Sequence, residues 1–209
     1  MTHRAAEDVD LIGRYLRGDL GAFDELMRAH QDRVFGICLR MLRDREAALD
    51  VTQETFLTVF RKADRYREEA AFSTWLYRVA VNACYDHLRR SKRRHADSLP
   101  AGLDPPDPRA ADPLLAAELR PDVEDALEQI PQEFRSAVVL VDLQGLAIDQ
   151  AAVVLGVPSG TIKSRVHRGR RLLAEILGNH RDPSRHLIDG SHNEPSPLRA
   201  TDDPPAGTN

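Results

Sequence analysis

Cysteine, aromatic residues and long apolar runs are scarce in this chain. Of 209 residues, two are cysteine, one is tryptophan, and aromatics together make up 5%. Cys38 and Cys84 each stand among apolar residues of helical spacing. They are expected as buried core thiols rather than as a disulfide or a redox pair. No apolar run approaches the ~20 residues of a bilayer-spanning helix. The opening MTHRAAEDVD has no apolar h-region, so no secretory signal is expected and the cytoplasm is the expected compartment. There is no nucleotide-binding glycine loop, no zinc spacing, and no Ser or Cys in a nucleophile motif. An enzyme is therefore not expected, nor a cofactor or metal. Cys84-x-x-His87 has the spacing of half a metal site, but on an apolar helix face it reads as core packing.

Charge is present in abundance and unevenly placed. The net charge of −4 by itself argues against a nucleic-acid partner. Its distribution argues otherwise. Arg61 to Arg94 holds ten Lys or Arg against four acids; His95 to Glu133 holds two Arg against ten acids; Ser159 to Arg171 holds five basic residues and no acid. Two anion-binding surfaces joined by an acidic connector fit that pattern.

No β alternation of useful length occurs, and the periodicity is helical on both sides of the connector. Phe23, Leu26, Met27, His30, Val34, Ile37, Cys38 and Met41 recur at spacings of three and four, with Asp19 placed to cap their helix. After a break at RDRE, Ala48, Val51, Thr55 and Val59 form the inward face of a second helix. A third is expected from about Thr74 to Arg90, capped by Ser73. Residues 95–113 are rich in Pro and Asp and poor in large apolar residues, so they read as a flexible acidic linker. Helical pattern resumes near Leu114: PDVEDALEQI, EFRSAVVLVDLQG, IDQAAVVLGV and SGTIKSRVHRGRRLLAEIL follow, with Gly156 suited to end the third of these. Residues 179–209 have little apolar content and read as a disordered tail. The fold class is thus all-α: two small helical domains, residues 8–94 and 114–178, on a flexible acidic, proline-rich linker.

The last two helices, with the turn at Gly156-Val157-Pro158, have helix-turn-helix order. Ile162, Val166, Gly169, Leu173 and Ile176 make the buried seam, which turns Lys163, Ser164, His167, Arg168 and Arg171 outward. Ser159 is placed to cap the helix and leave its first N–H groups to a phosphate. Cationic and short polar side chains there suit a major groove. A solvated basic face is the bland alternative. In the first half, Asp50, Gln53, Glu54 and Leu57 form a polar stripe that, alone, would be ordinary surface. DRYREEAAF and the helix after it bring Tyr66, Arg67, Trp75, Arg78, Asn82 and Arg89 into reach of one another, with Leu76, Val79, Ala80, Ala83, Cys84 and Leu88 inward. Rings to stack on, charge for a backbone and an amide for a base edge are what single-stranded bases need.

GDLGAFDELM, AALDVTQETF, FSTWLYRVAVN followed by RRSKRR, and GTIKSRVHRGR stand in an order and spacing that closely resemble the extracytoplasmic-function sigma factors of the sigma-70 family, over about residues 8–178. The resemblance implies a promoter-recognition subunit for a specialised, stress-responsive regulon. It implies docking of Asp50, Gln53 and Glu54 on the β′ clamp helices of core RNA polymerase. It implies that the loop Tyr66, Arg67, Ala70, Ala71, with Trp75, Arg78 and Asn82 beside it, receives a flipped-out base of the −10 element. It implies −35 duplex reading by Ser159, Thr161, Lys163, Ser164, His167, Arg168 and Arg171, a linker threaded along the polymerase's RNA path, and an anti-sigma factor as regulator. No stable homo-oligomer is expected. Leu49 departs from an acid common in the family, Glu68 and Glu69 make the capture loop unusually acidic, and Gly169 replaces a frequent alanine at ~1 kcal/mol of helix propensity. A free-standing helix-turn-helix regulator is the competing reading; it would need a dimerisation or ligand domain, for which residues 8–90 offer no heptads or βα alternation.

Overall fold

A computed structural model describes residues 2–68, 70–97 and 121–181. The resumption of helical pattern expected near Leu114, most of the linker, Glu69 and the tail beyond Arg181 lie outside the described residues. The helices are α1 (Thr2–Leu16), α2 (Leu20–Leu42), α3 (Arg45–Lys62), α4 (Phe72–Asp97), α5 (Pro121–Gln129), α6 (Gln132–Val138), α7 (Ile148–Leu155) and α8 (Ser159–Arg181). Among the described residues there is no strand, and no helix is long and apolar enough to cross a membrane.

Local chemistry sets the breaks in the first bundle. Asp19 is extended and its carboxylate accepts from the Ala22 N–H at 3.3 Å, which starts α2. Arg14 hydrogen-bonds Asp19 at 2.7 Å and holds that carboxyl below its ordinary pKa. The RDRE break is one left-handed residue, Arg43 (φ 63°), followed by Asp44, whose side chain caps α3 through the Ala47 N–H at 3.0 Å. The stripe expected on α2 is buried except for half-buried Met27. Val34, Ile37 and Cys38 meet Ala48 and Val51 of α3 and Leu76, Ala80 and Cys84 of α4 in one apolar cluster. Burying a Leu or Ile there stabilises the fold by about 1.5–3 kcal/mol per side chain. Cys38 and Cys84 are both free and buried. The hydrogen bond between them pulls the Cys38 thiol pKa down and pushes that of Cys84 up.

Two expected helix caps are not formed, and one helix start is displaced. α4 begins at Phe72, and the Ala71 carbonyl accepts from Thr74 and Trp75, so Ser73 lies inside the helix and is not its cap. Phe72 is 1% exposed, and its burial sets the start where polar-cap chemistry alone suggests a later one. α4 also runs on to Asp97, into the segment read as linker. α8 begins at Ser159, with the Pro158 carbonyl accepting from Thr161 and Ile162; the Ser159 hydroxyl donates to Asp149 of α7 at 2.6 Å instead of capping.

In the second bundle, EFRSAVVLVDLQG is α6 widened into a π turn over residues 139–143 and stopped by Gly145 (φ 69°). Gly156 (φ 65°) ends α7 as expected. The α8 seam packs on α6 at Gly169, where an added Cβ would lie 2.6 Å from Val138 Cγ2. The glycine is therefore a close-approach residue. Gly169→Ala gains helix propensity but collides with a buried β-branched side chain. It is expected to lower stability by ~1–3 kcal/mol, measured by thermal or urea unfolding; a melting temperature above the parent would refute the contact.

The two bundles do not stand apart. α7 packs against α4, and α6 against α2, so the apolar cluster of the first bundle continues into Leu140, Ala151, Val154 and Ile162. Arg40, its side chain 5% exposed, donates from Nε and Nη2 to one oxygen of Glu124 at 3.1 and 3.0 Å. Arg43 pairs with Glu128 at 3.3 Å, and the Tyr85 hydroxyl donates to Ser136 at 3.2 Å. Arg135, also buried, donates to the carbonyls of Glu128 and Ile130 and braces the α5–α6 turn; burial lowers its pKa to about 10.

Candidate docking face and nucleic-acid interfaces

The docking stripe lies on α3. Because Ala48, Val51, Thr55 and Val59 face the core, Asp50, Gln53, Glu54 and Leu57 point out and, with Thr58 and Arg61, line a shallow concavity. Leu49, Leu57 and Phe60 are exposed apolar residues on the same helix, 49%, 47% and 44% accessible, so the face mixes carboxylates with greasy contacts. Glu54 is partly engaged: Arg90 of α4 approaches it at 3.3 Å. Both partners are half exposed, so this pair is worth at most ~1 kcal/mol and can exchange for another cation.

The proposed single-strand surface is an aromatic cluster in which Tyr66 and Trp75, expected within reach of one another, are joined by Phe72. Tyr66, Phe72 and Trp75 stand with ring centroids 5.5–5.8 Å apart. Phe72 is the buried member; Tyr66 and Trp75 are half exposed. The loop between is closed by the Tyr66 hydroxyl, which donates to the Ala70 carbonyl at 3.0 Å. Burial raises the Tyr66 phenol pKa, with Glu68 and Asp8 adding to it, so the hydroxyl stays a neutral donor. Arg78 and Asn82 are exposed one and two turns beyond Trp75, and Arg67 is exposed at the loop. Ala70 and Ala71 are half-buried. Arg89 does not join this group: it is bound to Asp86 at 2.7 Å and to the Tyr85 carbonyl. Tyr77 and Val81, unassigned from the sequence, are both core residues.

On α8 the expected division of faces is present in the first three turns, while Leu173 and Ile176 of the expected seam are only partly buried, against Leu127, Ile130 and Val138. Ile162, Val166 and Gly169 are buried, while Lys163, Ser164, His167, Arg168 and Arg171 are exposed and Ser159 and Thr161 half-buried. Lys163 and Arg168 have no acidic partner within ion-pair distance among the described residues, and Arg171 has Glu175 at 3.5 Å. The Ser164 hydroxyl donates to the Thr161 carbonyl at 2.9 Å, so it faces a groove as an acceptor. Arg170 is held by Asp142 at 3.0 Å, which raises its pKa and fixes α8 to the end of α6.

Residues 26–94 match the family model described as sigma-70 region 2, and residues 120–173 the one described as sigma-70, region 4. The chain is 40% identical over 171 residues to the ECF RNA polymerase sigma factor SigM of Mycobacterium tuberculosis, covering 82% of this chain and 85% of that protein. It is 39% identical over 162 residues to the ECF RNA polymerase sigma factor SigE of Mycolicibacterium smegmatis, covering 76% of this chain but 63% of that one. The sigma factor RpoE, solved in complex with the anti-sigma factor NepR from Bartonella quintana, superposes with a TM-score of 0.62 at 24% identity, over 75% of this chain and 96% of that chain. At that identity the structural likeness is one of fold.

Proposed function

Given that the chain belongs to the extracytoplasmic-function sigma factors of the sigma-70 family, which bind core RNA polymerase and direct it to promoters, we propose that three surfaces of this molecule divide that work. Asp50, Gln53 and Glu54 dock on a basic helical element of the core enzyme, with Leu57 supplying apolar contact. Tyr66, Arg67, Ala70, Ala71, Trp75, Arg78 and Asn82 handle the −10 element as separated strands: rings stack, Arg holds backbone, and Asn82 reads a base edge. Ser159, Thr161, Lys163, Ser164, His167, Arg168 and Arg171 meet the −35 element as duplex. The site of action is then the cytoplasm, with the polymerase.

The observation that supports this most is the exposed face of α8. Its short and cationic side chains stand out while its seam is locked onto α6 and α7. Arg168→Ala is expected to cost ~1–3 kcal/mol at one −35 base pair, read as relaxed preference there in transcription from base-substituted promoters. A uniform loss over all sequences would make Arg168 a phosphate contact instead. Trp75→Ala is expected to slow promoter opening more than duplex binding, followed by permanganate reactivity against gel shift; an equal loss on a pre-melted template would count against the stacking role. Run-off transcription with core polymerase on genomic fragments, start sites mapped, tests the whole reading. Specific initiation that survived alanine at positions 163, 164, 167 and 168 on every promoter would remove the −35 assignment.

Because RpoE is solved with the anti-sigma factor NepR, and CnrH with the cytosolic domain of CnrY, we also assign these faces to an anti-sigma factor. Such a partner would compete with polymerase for the α3 stripe, so Asp50→Arg would weaken both.

A further inference from the structure

The core beneath the aromatic cluster contains a polar pair that neither family match explains. Asp8 of α1 and His30 of α2 are buried, their side chains 5% and 1% exposed, and Asp8 Oδ1 lies 2.9 Å from His30 Nε2. With Nε2–H donating, Nδ1 of His30 is left without a partner. A buried polar group without a partner costs stability, and an apolar pair would fill this space at least as well. What the pair adds is direction: one hydrogen bond sets the rotation of the imidazole. The ring bears on Phe72, centroids 5.7 Å apart, and on Tyr77 at 6.5 Å. Phe72 in turn supports Tyr66 and Trp75. α1 also packs on the short 3-10 turn Ala63–Arg65 before Tyr66 and on α4 after the loop, so it touches both ends of the segment. Asp8 precedes the residues that match sigma-70 region 2, which begin at position 26.

We propose that Asp8 and His30 are positioning residues for strand capture: through Phe72 they hold Tyr66 and Trp75 at the spacing and tilt a flipped-out base requires. This rests on reading the Tyr66–Trp75 cluster as the single-strand site. α1 is thereby part of the promoter-opening machinery and not only a lid on the core. Aromatic stacking is sensitive to ring offset and angle, so a small rotation of Phe72 would weaken base binding without unfolding the helices.

The chain's one tryptophan makes the test direct, because Trp75 belongs to the cluster. The full-length protein bound to core polymerase is titrated with a fluorescein-labelled non-template oligonucleotide spanning the −10 element of a promoter found by run-off mapping. The variants are Asp8→Asn, Asp8→Leu, the double Asp8→Leu/His30→Leu, and Tyr66→Ala. Asp8→Asn keeps an acceptor for Nε2–H and is expected to bind within about twofold of the parent. The double variant restores apolar packing and is expected to melt no lower than the parent. Even so, it should bind the oligonucleotide about fivefold or more weakly and bind −35 duplex unchanged, and in the protein free of polymerase Trp75 emission should shift. If the double variant does not fold, Asp8→Leu against Asp8→Asn carries the comparison. Parent-like oligonucleotide binding and Trp75 emission in the leucine variants, with binding lost in Tyr66→Ala, would overturn the positioning role alone. Unchanged binding in Tyr66→Ala would overturn the capture-site reading and the inference with it.

Discussion

Glu124→Ala is expected to release the second bundle from the first and expand the molecule, seen as a larger radius of gyration in small-angle scattering. Arg40 is the reason. Its guanidinium is nearly enclosed, with Glu124 as its acidic partner and the Gly36 carbonyl as a weaker contact at 3.3 Å. Removing one partner of a buried ion pair costs about 3–5 kcal/mol, because the remaining charge stays desolvated. Glu124 is partly exposed, so the lower end, about 3 kcal/mol, is expected here. Separation of the bundles is the easiest relief, since it returns Arg40 to water. A double Arg40→Leu/Glu124→Leu variant should stay compact. Unchanged dimensions in Glu124→Ala would show that the apolar contact of α7 with α4 suffices.

The functional sign of this variant is the reverse of the others. The −35 and −10 elements are centred roughly 25 base pairs apart, about 85 Å of duplex at ~3.4 Å per pair. In the packed form α4 and α8 both lie against α7, so at ~10 Å per helix contact they are about 20 Å apart. Tyr85, one turn past Asn82, is itself tied to Ser136. If α4 and α8 carry the two readers as proposed, the packed molecule would not hold both elements, and binding would draw on an open fraction. Glu124→Ala should therefore initiate as well as the parent or better at limiting sigma concentration, while every surface variant initiates worse.

Asp50→Arg is expected to weaken binding to core polymerase by more than a hundredfold, about 3 kcal/mol, in anisotropy titrations. Asp50 sits exposed at the N-terminal end of the α3 stripe, and no intramolecular partner holds it among the described residues. Reversal replaces attraction to a basic partner by repulsion and leaves the fold untouched, since exposed substitutions of this kind shift stability by about ±0.5 kcal/mol. The control is unaltered melting and −35 duplex binding. Core affinity within a factor of about two of the parent would place the docking face elsewhere. Glu54→Arg is a less clean probe, because it also breaks the contact with Arg90.

Periodicity and charge carried far in this chain because helices encode their faces in spacings of three and four. The α2 core stripe, the outward stripe of α3, the α8 seam and the Asp19 and Gly156 helix ends were all legible, each depending on residues a turn or less apart. The caps expected at Ser73 and Ser159 are not formed, for a tertiary reason. Burial of Phe72 extends α4 backwards, and Asp149 takes the hydroxyl that would have capped α8. Gly169 looked like a propensity defect until Val138 was placed against it. His30 was correctly put on the buried face, but nothing in its spacing could reveal Asp8, 22 residues away, as its partner.

By itself the sequence determined the all-α fold class, which helix faces turn outward, and to which family the chain belongs. These follow from local rules and from motifs read in order. Only the tertiary structure decided that the bundles share an apolar core, that Arg40 and Glu124 join them, and that an aromatic cluster rests on a buried Asp8–His30 bond. Those contacts link residues tens of positions apart, and no local period encodes which distant side chain fills the other half of a contact.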